Sequence, residues 1–358
     1  MDGLLDFVEA VSARCTAVLR EPVTDLPDLG EALEQLLVPA AILLGGGKRI
    51  RAQLCAVGWK AAGGEVSDTA VVRAGSALEL FQAAALVHDD VIDDADTRRG
   101  QPAIHILFAG LHPGAAGVGD AATFGMHAAI LLGDLILVLA HREMRRAGEI
   151  APGGRAAARI WDLMTAEVAV GQYLDVRASV QPLVRERLES ALAGALLVVR
   201  HKSARYSVQH PLVLGAALAG GDPTLLSALG RIGLPLGEAF QLRDDELGVF
   251  GDPRRTGKPA GDDILEGKRT PLVLLGLEMC PPDDSAFLRA SLGNRSLGVD
   301  AIARIRTVLR TSGAVERHEA LIAERYDEAM AALEGAPLTA GIREHLRAMA
   351  VALTRRVS

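Results

Sequence analysis

An all-α fold is predicted by three features of this 358-residue chain. Helical periodicity recurs through most of it, strand-type alternation is nearly absent, and the apolar mass is Ala, Leu and Val with only 3% aromatics, a composition of helix formers. The breaks agree with this: they fall at GLHPGAAGVGD (110 to 120), APGGR (151 to 155), AGGDP (219 to 223) and residues 251 to 267, and the segments between them are too long for strands. Residues 68 to 95 read as one buried helix entering a polar site. AAILLGDLILVLA reads as a buried helix with Asp134 at its centre. In the tail, Ile302, Ile305, Val308 and Leu309, then Leu321, Ile322, Met330 and Leu333, are spaced for amphipathic helices. No repeat or linker stands out, so a single all-helical domain over 1 to 358 is expected, with a motif-bearing core over 45 to 275 and C-terminal helices over 300 to 358.

The net charge of −7 lacks the basic surplus of a nucleic-acid binder, so any phosphate recognition must come from local clusters. Cys15, Cys55 and Cys280 form no C-x-x-C pair, which points to neither a disulfide framework nor a zinc site and fits a reducing cytoplasm. The first fifteen residues carry acidic groups where a signal peptide would be basic, and no stretch approaches an uninterrupted apolar span of about 20 residues. No membrane span is expected.

Chemistry is concentrated at Asp89, Asp90 and Asp93, directly after the apolar AAALVH. On a helix Asp89 and Asp93 stand at i and i+4, with carboxylates about 6 Å apart on one face, mutually repelling unless a hard cation lies between them. Magnesium suits such a pair, because it is usually held by one or two carboxylates plus substrate phosphates. Asp94 and Asp96 suit a solvated helix end. A second pair, Asp244 and Asp245, follows LGEAFQLR, and two such clusters would clamp one polyanion. Basic residues gather where a phosphate ligand would need them: Lys48, Arg49 and Arg51 in GGGKRIR, the Arg98 and Arg99 pair, Lys202, and Lys258 with Lys268. Carboxylates for metal beside Arg and Lys for phosphate are the components of diphosphate chemistry. His88 and His105 read as structural. Asp134 and Asp175 read as buried carboxylates that cap helices or orient the cations, with Gln172 supporting the pair.

The ordered set GGGKRIR, LVHDDVIDDADTRRGQPAIH, GDLIL, GQYLD, HKSARYS and FQLRDDELGVFGDPRRTGKPAGDDILEGKRT resembles the trans-type isoprenyl diphosphate synthases of the polyprenyl synthetase family, and among them geranylgeranyl diphosphate synthases. The resemblance implies helices around a deep central cavity, a homodimer, and magnesium as cofactor, as three ions with bound diphosphate. Carried over position by position, it assigns Lys48, Arg51, Gln82 and Arg99 to isopentenyl diphosphate and Arg98 to the allylic diphosphate. Asp89, Asp93 and Asp244 match the magnesium ligands, with Asp90 completing the first motif. Lys202, Ser203, Gln241 and Lys258 match the surroundings of the allylic diphosphate and its first carbon, and Asp263 and Lys268 are similar to further polar members. The sequence departs from the fullest pattern at Gly248, where a third carboxylate of the second motif is expected; Asp252, Asp262 or Asp263 are candidates to compensate.

The implied reaction is ionisation of an allylic diphosphate, attack by the double bond of isopentenyl diphosphate, and proton loss, with no covalent enzyme nucleophile. The rival readings are a class I terpene cyclase, against which GGGKRIR and Arg98/Arg99 speak, and a non-catalytic partner subunit, favoured only by Gly248. Ala84 and Ala85, one turn before Asp89, are small where shorter-product relatives place an aromatic floor. Phe81, about 12 Å along the helix from Asp89, would form a deeper one. A C20 product is therefore expected over a farnesyl or longer chain, unless a residue of another helix such as Phe124 or Met126 intervenes. Ala84→Phe is expected to shorten the product by at least one five-carbon unit, read by chromatography of the labelled diphosphates after dephosphorylation; unchanged chain length would place the floor elsewhere.

Overall fold

The long Ala-rich stretch before the first aspartates forms a helix because nearly every position can be buried without crowding its neighbours. The computed structural model describes residues 3–113, 117–251 and 261–355. Helices run in the order α1 (Leu4–Asp25), α2 (Gly30–Leu44), α3 (Ile50–Ala61), α4 (Thr69–Ile92), α5 (Ile104–Ala109), α6 (Ala121–Ile150), α7 (Gly154–Ser179), α8 (Leu188–Val198), a π-wound segment (Val199–Gln209), α9 (His210–Leu218), α10 (Pro223–Phe250), α11 (Asp262–Leu265), α12 (Pro271–Met279), α13 (Pro282–Ser291), α14 (Val299–Thr311), α15 (Ala314–Glu334) and α16 (Ala340–Thr354). The all-α expectation holds. The strands described are two dipeptides, β1 (Thr97–Arg98) and β2 (Gln101–Pro102), paired antiparallel. The breaks at 110 to 120, 151 to 153 and 219 to 222 separate helices as expected.

The chain divides into two compact units, residues 1–161 with 211–226, and residues 162–210 with 227–358. In the first, α4 packs along α6 and against α1 and α3, with Ala70, Ala74, Gly75, Ala77, Ala83 and Ala84 buried. A buried carboxylate fixes these helices against one another. Glu143 of α6, 0% exposed, accepts from Arg14 of α1 at 2.6 and 2.8 Å, from Arg73 of α4 at 3.1 Å, and from Arg146 at 3.0 Å. Glu21 of α1 ties Arg14, Arg142 and Arg146 from the other side, at 2.7, 2.8 and 2.6 Å. Burial raises the Glu143 pKa, but the hydrogen bonds from Arg14 and Arg146 and the surrounding guanidinium charge outweigh it, and the net shift is downward.

In the second unit, Leu242 and Val249 of α10 share a core with Leu272, Val273 and Leu274 of α12 and with Ile302, Ile305, Leu309, Leu321 and Ile322 of the tail. The amphipathic spacing of the tail is thus realised as packing. Arg243 of α10 donates to Glu319 of α15 at 2.6 and 2.7 Å and to the Thr354 carbonyl at 2.8 Å. His318 lies with Nε2 2.8 Å from the Leu242 carbonyl. The rotation of α10 is therefore fixed immediately before Asp244.

One expectation needs correction. α4 and α6 are both long and apolar enough, by length and composition, to cross a membrane. The apolar window of α4 is 72% buried and reads as core, but that of α6 is only 33% buried, so α6 is not the buried helix anticipated. Phe124, Leu131 and Val138 are exposed on it at seven-residue spacing. Sequence periodicity records that a face is apolar and not what covers it.

Replacing Glu143 with Ala is expected to cost about 1.5–3 kcal/mol of unfolding free energy, because Arg14, Arg73 and Arg146 lose a charged hydrogen-bond acceptor while Arg14 and Arg146 keep Glu21. Since the folded-state pKa of Glu143 is lowered, its stabilisation is complete above its ordinary value of 4.5 and is lost as pH falls through the lower folded-state value. Urea unfolding of both proteins between pH 7 and pH 3 checks this: the gap between wild type and Glu143→Ala should narrow as pH falls.

Candidate active site

The first aspartates lie where α4 leaves its buried environment. Asp89 and Asp90 are in its last turn and Asp93 caps it, with the Asp93 amide bonded to the Asp89 carbonyl at 2.8 Å, so the i, i+4 relation survives to the cap. Asp90 is different from its neighbours: it is 1% exposed and its Oδ1 accepts from Arg98 Nε at 2.7 Å and from the same guanidinium's Nη2. Arg98 Nη2 also lies 3.7 Å from Asp89 Oδ2. Asp90 therefore anchors Arg98, while Asp89 and Asp93 frame the helix end.

Arg98 and Arg99 reach this position through the small hairpin, in which Arg98 pairs with Gln101. Arg99 and Gly100 have φ of 54° and 74°, the left-handed pair of a two-residue hairpin turn. Arg99 Nη1 donates to the Gly46 carbonyl at 3.2 Å, so its guanidinium lies on the GGGKRIR loop. Lys48 precedes α3 and Arg51 opens it. Arg99 is thus brought to the loop that carries Lys48 and leads into Arg51, and Gln82 sits on α4 two turns before Asp89. Arg49 does something else: it is buried, bridges to Glu79 of α4 at 3.4 Å, and donates to the Leu44 carbonyl and to Ser12 Oγ at 3.3 Å, holding the loop in place. Burial lowers the pKa of Arg99, and the nearby charges of Arg49, Arg98 and Arg51 lower it further against the opposing charge of Glu79. A concentration of guanidinium groups in a partly buried place favours an anionic ligand.

The second unit holds the other set. Lys202, in the π-wound segment, donates to Asp175 of α7 at 2.6 Å, so Asp175 does orient a cation. Ser203 follows it, half-buried. On α10, Asp244 is exposed and Asp245 buried. Gln241 donates to Asp245 Oδ1 at 2.8 Å. The Asp245 pKa is pushed well above its ordinary value, first by burial, then by Asp263, with Asp244 and Asp175 adding to it against the Gln241 hydrogen bond. Lys268 Nζ lies 2.5 Å from Glu266 and 3.9 Å from Asp263. Lys258 and Asp252 lie outside the described residues.

Among the described residues no three His, Cys, Asp or Glu groups converge tightly enough to hold a metal ion alone. The donors are exposed or half-buried carboxylates among like charges, which fits a hard divalent cation completed by substrate phosphate oxygens.

Gly248 is explained by its neighbour. A Cβ at this position would stand 2.0 Å from Asp263 Oδ2 and 2.4 Å from its Cγ, so the Asp263 carboxylate occupies the space into which a side chain at 248 would project. Among the candidates to compensate, only Asp263 is seen to lie there. Asp134, by contrast, does not cap a helix: its side chain is 62% exposed and lies 3.5 Å from His88 Nε2. His88 also contacts the Ile130 carbonyl at 3.2 Å and serves packing between α4 and α6. Sequence reasoning missed Glu167 of α7, the partner of His201 and Arg205 in the segment that carries Lys202 and of His210 at the start of α9. Its signal was present as E-x-x-x-G-x-x-x-D, which puts Glu167, Gly171 and Asp175 on one helix face.

The profile of the polyprenyl synthetase family matches residues 34–309. The chain is 32% identical over 294 residues to the short chain isoprenyl diphosphate synthase of Methanothermobacter thermautotrophicus, covering 82% of this chain and 81% of that protein. To the geranylgeranyl diphosphate synthase of Sulfolobus acidocaldarius it is 30% identical, with 76% and 74% covered. Among solved structures, a geranylgeranyl pyrophosphate synthase from Corynebacterium glutamicum, complexed with isoprenyl diphosphate and magnesium, is similar with a TM-score of 0.90 at 38% identity, over 98% of this chain and 99% of that one.

Gly248→Asp, which would nominally complete the second motif, is expected to lose about 1–3 kcal/mol of stability by overpacking and to lower kcat/KM. Urea unfolding and steady-state kinetics decide: a stable variant with raised activity would mean that carboxylates at 248 and 263 coexist.

Proposed function

Because the chain belongs to the polyprenyl synthetase family and is a trans-prenyltransferase of the isoprenyl diphosphate synthase class, we propose that it condenses isopentenyl diphosphate with an allylic diphosphate to give geranylgeranyl diphosphate, using magnesium. The observation that carries the reading is that each compact unit holds one kind of charged cluster: Arg98 and Arg99 with Arg51 and the GGGKRIR loop in the first, and Asp244, Asp245 and Asp263 with Lys202 and Asp175 in the second. Each is costly in the free protein and is relieved by a ligand of opposite charge.

In this reading Lys48, Arg51, Gln82 and Arg99 hold isopentenyl diphosphate and present its double bond. Asp89, Asp93 and Asp244 are the residues that hold magnesium, which when bound neutralises charge on diphosphate oxygens. Arg98, aimed by Asp90, and Lys202, aimed by Asp175, bind oxygens of the allylic diphosphate and stabilise the charge that grows as the carbon–oxygen bond breaks. Lys258 is assigned to the same task. Ser203 and Gln241 lie near the first allylic carbon, and Asp263 and Lys268 complete the polar surroundings. The diphosphate that leaves accepts the final proton. Asp263 beside Gly248 speaks against a non-catalytic partner subunit, since the missing carboxylate is not replaced by empty space.

The C20 product is supported by the names of the relatives and by Ala84, small and buried on α4. Phe81 packs edge-on to Trp161 with ring centroids 5.8 Å apart, and Trp161 donates to His141 at 2.8 Å, which would make Phe81 a stiff floor. The exposed Phe124, Leu131 and Val138 on α6 support a homodimer, because such an apolar row is normally covered. Cys15 and Cys55, buried with thiols pushed up to about 12 by burial, are inert and compatible with a cytoplasmic protein.

Purified protein with magnesium, labelled isopentenyl diphosphate and each allylic primer in turn should yield a linear C20 diphosphate, and excess EDTA should abolish turnover. A linear product of another length would revise the floor, a cyclised hydrocarbon would indicate a terpene cyclase, and no turnover by folded protein would favour the partner subunit.

A further inference from the structure

Residues Val199–Gln209 are wound as a π-helix between α8 and α9, and the amide of His210 bonds to the Arg205 carbonyl, five residues back. Such winding is rare over this length and needs something to hold it. The second unit supplies that on one face of α7. Glu167 Oε1 accepts from Arg205 Nη1 at 2.6 Å and lies 3.1 Å from His201 Nδ1, while Oε2 lies 2.6 Å from His210 Nε2. Nine residues, from 201 to 210, are two and a half turns of an α-helix, which would put His210 on the side opposite His201. The wider i→i+5 winding brings 201, 205 and 210 to the same carboxylate.

One turn further along α7, a Cβ on Gly171 would stand 2.5 Å from the Lys202 amide nitrogen and 2.7 Å from its Cα, so only glycine lets the Lys202 backbone approach so closely. Another turn on, Asp175 takes the Lys202 ammonium at 2.6 Å. Positions 167, 171 and 175 are thus i, i+4 and i+8 of a single stripe that fixes the winding, the backbone and the side chain of the Lys202 region in turn. From α10, Gly233 and Gly237 admit the backbone of Gln209 and Ala204 in the same way. Burial raises the pKa of Glu167, but the hydrogen bond from His210 and the charge of Arg205 outweigh it and hold the group below its ordinary value, so it is an anion at neutral pH.

We infer that Glu167 is a positioning residue for the prenyl transfer: by gathering His201, Arg205 and His210 it holds segment 199–209 in its π winding and so aims Lys202 at the allylic diphosphate. The inference rests on the assignment of Lys202 made under the proposed function. Glu167 itself touches no reacting atom in this account. Its loss acts only through where Lys202 stands.

The test has a kinetic arm and a structural arm. Glu167→Ala is expected to lower kcat/KM for the allylic diphosphate by about tenfold to a hundredfold, the loss expected when a catalytic group shifts by about an ångström, while KM for isopentenyl diphosphate stays within about twofold. In a Lys202→Ala background the same change should alter kcat by less than about twofold, because the residue through which it acts is gone. Equal, multiplicative losses in both backgrounds, or a KM for isopentenyl diphosphate that rises in step, would overturn the inference. A crystal structure of Glu167→Ala should show segment 199–209 relaxed toward α winding, with the His210 amide bonded to the Tyr206 carbonyl in place of that of Arg205. Retention of the Arg205 bond and of the Lys202 position overturns it as well, whatever the kinetics. Glu167→Gln, which keeps shape and loses charge, replaces the alanine variant in both arms should that not fold. Absence of turnover by the wild type would sink the proposed function instead, and the structural arm would then decide the role of Glu167 alone.

Discussion

A charge does not leave water without a partner, and this constraint sorts the acidic and basic side chains of the chain into two groups. Four buried or half-buried carboxylates each collect basic groups: Glu79 takes Arg49, Glu143 takes Arg14, Arg73 and Arg146, Asp90 takes Arg98, and Glu167 takes Arg205 with His201 and His210. These pairs are architectural. They set how α1, α4 and α6 meet, where the GGGKRIR loop lies, which way Arg98 points and how the segment of Lys202 is wound.

The second group keeps like charges near one another. Arg99 lies near Arg49, Arg98 and Arg51, with Glu79 offsetting part of their effect, and Asp245 near Asp263, Asp244 and Asp175, with the Gln241 hydrogen bond offsetting part of theirs. Like-charge clusters of this kind are sites where local stability is given up for ligand binding. Under the proposed function a diphosphate would relieve the first cluster and a divalent cation the second.

Glycine has a corresponding role in the backbone. Gly171 lets α7 lie directly on the chain at Lys202, and Gly248 leaves the surface of α10 open to the Asp263 carboxylate. In both places the absent side chain is the means by which a charged group comes to its position. At Gly248, where the fullest motif has a carboxylate on α10, the Asp263 carboxylate of α11 fills the space.

The sequence by itself determined the helical class, the helix breaks, the amphipathic tail and the inventory of carboxylates and cations, because these depend on local periodicity and on short spacings such as that of Asp89 and Asp93. It did not separate Asp90 from its neighbours, Arg49 from Lys48 and Arg51, or an apolar helix covered by its own core from one whose face is exposed, as α6 is. Those distinctions depend on what lies opposite a side chain. Glu143 finds Arg14 across 129 residues and Glu167 finds Arg205 across 38. Nothing in the local pattern predicts the π winding of residues 199 to 209, which contacts to α7 and α10 accompany. Tertiary structure alone decided which buried charge meets which partner, since only burial and the identity of the facing group set the cost of a charge.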